Sequence, residues 1–142
     1  MTKNNITPVE QELLRFFTAG KAYQMKTSKS VFMPACIVDE TWHSLLNEEE
    51  RYFNLTSSIV GSNIEHVQSK GFGEIEWVAD YEKMFGKLSK EWFTSVDGTF
   101  NLSSYDEYLK KGKMYASWDC SPAYKPIKKD KPVSDKKTVA VC

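Results

Sequence analysis

The sequence predicts a mostly α-helical protein: one compact domain of four to five helices with little or no sheet, followed by a basic, flexible C-terminal tail. Three observations carry that expectation. Apolar residues recur at helical spacing between recognisable start and stop signals. Few segments alternate apolar and polar residues with the two-residue period of a half-buried strand. From Ser121 onward the composition turns to Lys and Pro, which places a 1–120 domain before a 121–142 tail. A chain of 142 residues fits a single domain and buries about 68–70% of its unfolded surface, so it needs no crosslinks to fold.

The first helix starts at a complete signal. Thr7 suits the N-cap, Pro8 the first helical position, and Glu10 closes a capping box. Val9, Leu13, Phe16, Phe17 and Tyr23 form its apolar stripe, with Gly20 as a point where the helix ends or weakens. Val31 to Pro34 is a short apolar entry into a second helix, expected over 35–46. Its buried stripe is Ile37, Val38, Trp42, Leu45 and Leu46. Asn47 with Glu50 reads as another capping box, starting a third helix that runs through Tyr52, Phe53, Leu55, Ile59 and Val60 to Gly61.

Residues 62–73 read as irregular or briefly extended, with Gly-Phe-Gly at 71–73 as a flexible hinge or turn. A fourth helix is expected over 74–85, stopped by Gly86, with a further turn packing Trp92 and Phe93 back on it. Asp97-Gly98 marks a turn. A last short helix capped by Ser103 or Ser104 should run through Leu109 and end near Gly112, and the apolar stretch 114–120 should dock on the body.

Charge and composition exclude several classes. The chain has 19 basic and 19 acidic residues, so no global basic excess points to nucleic acid. The distribution is uneven. The tail holds six lysines and two aspartates, a net of +4, and residues 1–120 carry a net of −4. An acidic body suits a basic protein partner, as in inhibitor or immunity proteins. A polar N-terminus and the lack of a long apolar run predict a cytoplasmic protein with no membrane segment. Three cysteines, Cys36, Cys120 and Cys142, without a Cys-x-x-Cys pair, read as reduced thiols. Gly71 and Gly73 lack the third glycine and preceding strand of a phosphate loop.

One short run could carry chemistry. Asp39 and His43 are four residues apart, so they share a helix face, with Cys36 one turn back. The other histidine is His66. A carboxylate beside an imidazole fixes its tautomer and raises its basicity, so His43, His66 and Asp39 could form a metal or acid–base centre. The alternative is a brace in which Trp42 fills the core and Asp39 and His43 fasten the helix to the His66 segment. Two histidines and a cysteine with no tight spacing fall short of a closed zinc set, so no cofactor, metal or catalytic residue is expected. Trp77, Tyr81 and Phe85 at four-residue spacing read as core.

The run Val38-Asp39-x-x-Trp42-His43 resembles the hydrophobic-Asp-x-x-Trp-His motif of the bacterial and plant glycine-rich-domain-containing-protein-like family. Tyr52 and Phe53 look like its next aromatic helix, Val60-Gly61 stands in its Phe-Gly place, and Ile64-Glu65-His66 looks like its trailing histidine. Trp77, Tyr81, Phe85-Gly86 and Trp92 are similar to its following segment. The resemblance covers about residues 31–93. It implies a small helical domain with both histidines close together. Leu45 stands where many members carry a second histidine, which lowers the expectation of a metal. The function expected from all this is a small, non-enzymatic, protein-binding domain whose binding residues include Asp39, Trp42, His43 and His66; the alternative is a metal- or acid/base-dependent enzyme using His43, His66 and Asp39.

Overall fold

The computed structural model describes residues 6–127. Five α-helices pack with a three-stranded antiparallel sheet: α1 Pro8–Thr27, β1 Met33–Pro34, α2 Ile37–Leu46, α3 Glu49–Leu55, β2 Asn63–Glu74, α4 Val78–Phe85, α5 Leu102–Lys111 and β3 Tyr115–Lys125. The strand order is β1-β3-β2. The expectation of little or no sheet is therefore corrected.

The reason lies in the strands themselves. β2 carries one deeply buried residue, Ile64, and exposes most of residues 67–72, so it lacks the clean alternation that announces a strand. Its backbone groups find their partners on β3, about 50 residues later, which no local pattern reveals. The segment expected to be irregular or only briefly extended at 62–73 is thus mostly strand, which runs through the expected hinge or turn at 71–73. Met33–Pro34, expected as a helix entry, pairs with Cys120 and Trp118 of β3. The boundary expected after residue 120 falls inside β3, which continues to Lys125. The rest of the expected tail, from Lys128 to Cys142, lies outside the described residues.

The helix reading fared better. Thr7 and Glu10 form the complete capping box around Pro8. Gly86 and Gly112 end α4 and α5 with positive φ. Trp92 and Phe93 are buried in a 3-10 turn, Lys90–Phe93. Trp77 and Tyr81 are core residues and Phe85 packs against them. Two starts differ. Asn47 caps the end of α2, and α3 begins at Glu49 without a side-chain cap. The chain then widens into a single π turn, Thr56–Val60, closed by Gly61 at φ 81°, where Lys21 donates to the Val60 carbonyl at 3.2 Å. That lysine neutralises the negative end of the helix and satisfies a carbonyl left over there.

Helix α1 is the spine of the fold and touches α2, α4 and the π turn. Leu13, Phe16, Phe17 and Ala19 are fully buried along it. Glu12 is buried too, and its carboxylate accepts from Tyr81 Oη and, at 2.9 Å, from Trp92 Nε1. A carboxylate is tolerated in a core when such donors surround it. Gly20 does not end α1. It lies where a Cβ would stand 2.7 Å from both Tyr124 Oη and Val31 Cγ1, so it is the gap through which β3 reaches the helix. Tyr124 Oη donates to the Phe17 carbonyl at 2.8 Å across that gap.

Gly20→Ala gains about 1 kcal/mol of helix propensity but forces a clash costing about 1–3 kcal/mol. Net destabilisation is expected in denaturant titration, and a more stable variant would refute the close approach. Glu10 also holds Arg51 of α3 through two contacts, at 2.7 and 3.0 Å. This hydrogen-bonded guanidinium, opposed by burial, lowers the Glu10 pKa from its ordinary 4.5. A lowered folded-state pKa gives stability that is present above 4.5 and lost as pH falls through the folded value. Arg51→Ala should therefore cost about 1 kcal/mol at pH 7. The difference from the parent should shrink in unfolding curves taken below pH 4.5.

Candidate metal centre

Helix α2 buries Val38, Trp42 and Leu45. Its opposite edge carries Asp39 and His43 one turn apart, with His43 Nε2 3.4 Å from Asp39 Oδ1. The inward face of the sheet meets that edge. Two-residue alternation puts Ile64 and His66 of β2 on this face, across from Tyr124 and Pro122 of β3. Cys120 faces the same way, one pair further along, opposite Gln68.

Four donor-bearing side chains therefore converge from three elements. Asp39, His43, His66 and Cys120 place a ligand atom each within 4.8 Å of one another. The rings of His43 and His66 meet at 4.6 Å, and Cys120 Sγ donates to Asp39 Oδ1 at 3.0 Å. Burial is graded across the group. Cys120 is 1% exposed, whereas the His43 side chain is 49% exposed, so the cluster sits at the rim of the core with one imidazole toward solvent.

Burial disfavours the charged form of both His66 and Asp39. Burial, reinforced by the neighbouring His43, lowers the His66 pKa to about 4. His66 is then neutral near pH 7 and has a lone pair to give. Burial raises the Asp39 pKa, and the Cys120 thiol and His43 oppose that rise. A carboxylate half-removed from water beside a buried thiol is a costly arrangement unless a positive charge joins it.

Trp42 sets the geometry from below. It is fully buried, and its Nε1 donates at 3.1 Å to Tyr52 Oη, which in turn donates at 2.7 Å to the carbonyl of Ile64. That chain joins α2, α3 and β2 two residues before His66. The Trp42 ring also meets His66 at 4.5 Å, edge to face. Trp42 fills the core, and His66, expected on a loop, lies on strand β2.

All four binding residues expected from the sequence, Asp39, Trp42, His43 and His66, are brought together. Cys120 was missed as their partner, because no histidine lies near it in sequence and only the strand register delivers it. Cys36, expected on the same side as Asp39, is instead the N-cap of α2. It is buried, and burial pushes its pKa up to about 12, so it is an inert thiol. A cavity of about 860 Å³ is lined by Cys36, Phe93, Asn101 and Ser117 among others and contains none of the four donors.

Tyr52→Phe keeps the ring and removes the hydroxyl that satisfies two buried groups. It should destabilise the protein by about 1–3 kcal/mol and shift the His66 imidazole signals in NMR spectra; unchanged His66 signals would uncouple that hydroxyl from the site. No helix among the described residues is long and apolar enough to cross a membrane. No protein-family model, curated protein or solved structure matches the chain.

Proposed function

We propose that this chain is a transition-metal-binding domain, with zinc as the favoured ion, in which the metal fastens helix α2 to strands β2 and β3. The convergence of Asp39, His43, His66 and Cys120 within 4.8 Å carries the reading. Zinc takes one sulfur, imidazole nitrogens and a carboxylate oxygen at about 2.0–2.3 Å, which spaces tetrahedral donors about 3.3–3.8 Å apart. The four atoms need to move by only about 1 Å to reach that spacing. One carboxylate and one thiolate would also cancel the charge of a divalent ion, leaving a neutral centre at the edge of the core.

Mixed nitrogen, oxygen and sulfur donors disfavour magnesium and calcium, which take oxygen ligands. Four protein donors fill a tetrahedral ion and leave no position for substrate water, which argues for a fastening role over a hydrolytic one. Cys120 is too buried to serve as a nucleophile for an external substrate. Three of the four donors fall on the Asp-x-x-Trp-His run and the trailing histidine that carry the family resemblance. A non-enzymatic binding role agrees with this assignment, and the metal would give that role a rigid platform.

The test is titration with Zn²⁺ and with Co²⁺ as a coloured substitute. One equivalent should bind, Co²⁺ should show tetrahedral ligand-field absorption, and the thiolate-to-cobalt band should vanish in Cys120→Ser. Zinc at a hundred times its Kd should stabilise the fold by about 2.7 kcal/mol, and a chelator should reverse it. Equal metal uptake by the His43→Ala/His66→Ala/Cys120→Ser variant would defeat the assignment.

A further inference from the structure

A second cavity shares no residue with the described donors. Its volume is about 490 Å³, and its lining includes Tyr23, Phe32, Trp77, Trp118, Glu74 and Glu76. This size is typical of small-molecule sites, but its walls are unusual. Four aromatic rings stand beside two carboxylates, and Lys29 is the only basic lining residue among the described residues.

The rings are fixed in place. Phe32 and Trp118 stack at 4.2 Å with an interplanar angle of 8°. Trp77 is 1% exposed, and its N–H is engaged by the Phe32 carbonyl at 2.8 Å. Two glycines of β2 make room for the indole. A Cβ on Gly71 would lie 2.7 Å from Trp118, and Gly73 adopts φ 159° beside it. The carboxylate is fixed as well. Glu76 Oε1 accepts from Tyr23 Oη at 2.6 Å and faces the Lys29 ammonium at 3.6 Å. The chain thus already holds one ammonium of its own at the mouth of the aromatic cavity.

Aromatic faces attract cations through their quadrupoles, and carboxylates add long-range attraction. Ring faces give few hydrogen bonds to replace lost water, so they suit a weakly hydrated cation better than a bare ammonium. We propose that this cavity binds a methylated ammonium group, held by the rings of Phe32, Trp77 and Trp118 and by the carboxylates of Glu74 and Glu76. A free quaternary amine and a methylated lysine side chain share that chemistry.

The experiment follows the four tryptophan indole N–H signals by NMR during titration of the full chain with tetramethylammonium chloride. Sodium chloride controls for ionic strength, and neopentyl alcohol is the uncharged counterpart of the same shape. Saturable shifts should be confined to Trp77 and Trp118. Glu76→Gln, at an exposed position, should weaken binding about three- to tenfold. Lys29→Ala should tighten it by removing the internal competitor. Tighter binding of a trimethyllysine peptide would assign the ligand to a protein side chain, and equal binding would assign it to a small amine. The proposal is overturned if neopentyl alcohol gives the same curve, if Trp42 and Trp92 shift equally, or if no saturation is reached.

Discussion

The structure depends on what the buried indole of Trp42 requires. A tryptophan at the centre of a core must find an acceptor for its N–H, and here the acceptor is Tyr52 Oη. That hydroxyl then needs its own acceptor and takes the Ile64 carbonyl. One polar obligation thereby fixes three elements. It sets the rotation of α2, which brings Asp39 and His43 to the sheet, and the level of β2, which brings His66 to meet them. Phe17 of α1 packs on the same indole, with ring centroids 5.1 Å apart, so the spine of the fold is tied into the same arrangement.

The core carries its polar groups in small closed sets. Glu12 is surrounded by the hydroxyl of Tyr81, the N–H of Trp92 and the guanidinium of Arg15. Tyr108 Oη receives the Leu88 amide and donates to Glu82. These sets are satisfied by neighbouring side chains and backbone. The group at Asp39 differs, because it combines two acidic functions and two imidazoles in one place. The desolvation of Asp39 within it is relieved most simply by a cation. That contrast separates the donor cluster from the ordinary structural networks around it.

Helices were legible in the sequence because their signals are local. Thr7-Pro8-x-Glu10, Gly86 and Gly112 each act within one turn, and each appears where expected. The sheet was not legible, because β3 supplies every pairing and lies far from β1 and β2 along the chain. The same distance hid Cys120 from the candidate site. Asp39 and His43 could be placed together from helical periodicity, and the motif resemblance added His66. Nothing short of strand register could add the thiol. Gly20 was misread for a related reason: a mid-helix glycine looks like a break until the tyrosine that needs the gap, Tyr124, is known to lie beside it.

The central position of β3 has a consequence for the order of folding. Helix α1 and the α2–α3 pair can form from neighbouring residues while the chain is still being made. The two outer strands have no partner until residues 115–125 emerge, since both pair only with β3. Closing those long loops is the slow, entropically expensive part of the topology. During synthesis, Asp39, His43 and His66 must wait for the eleven-residue strand that delivers Cys120. The domain therefore becomes a sheet protein, and gains its full donor set, in a single late step.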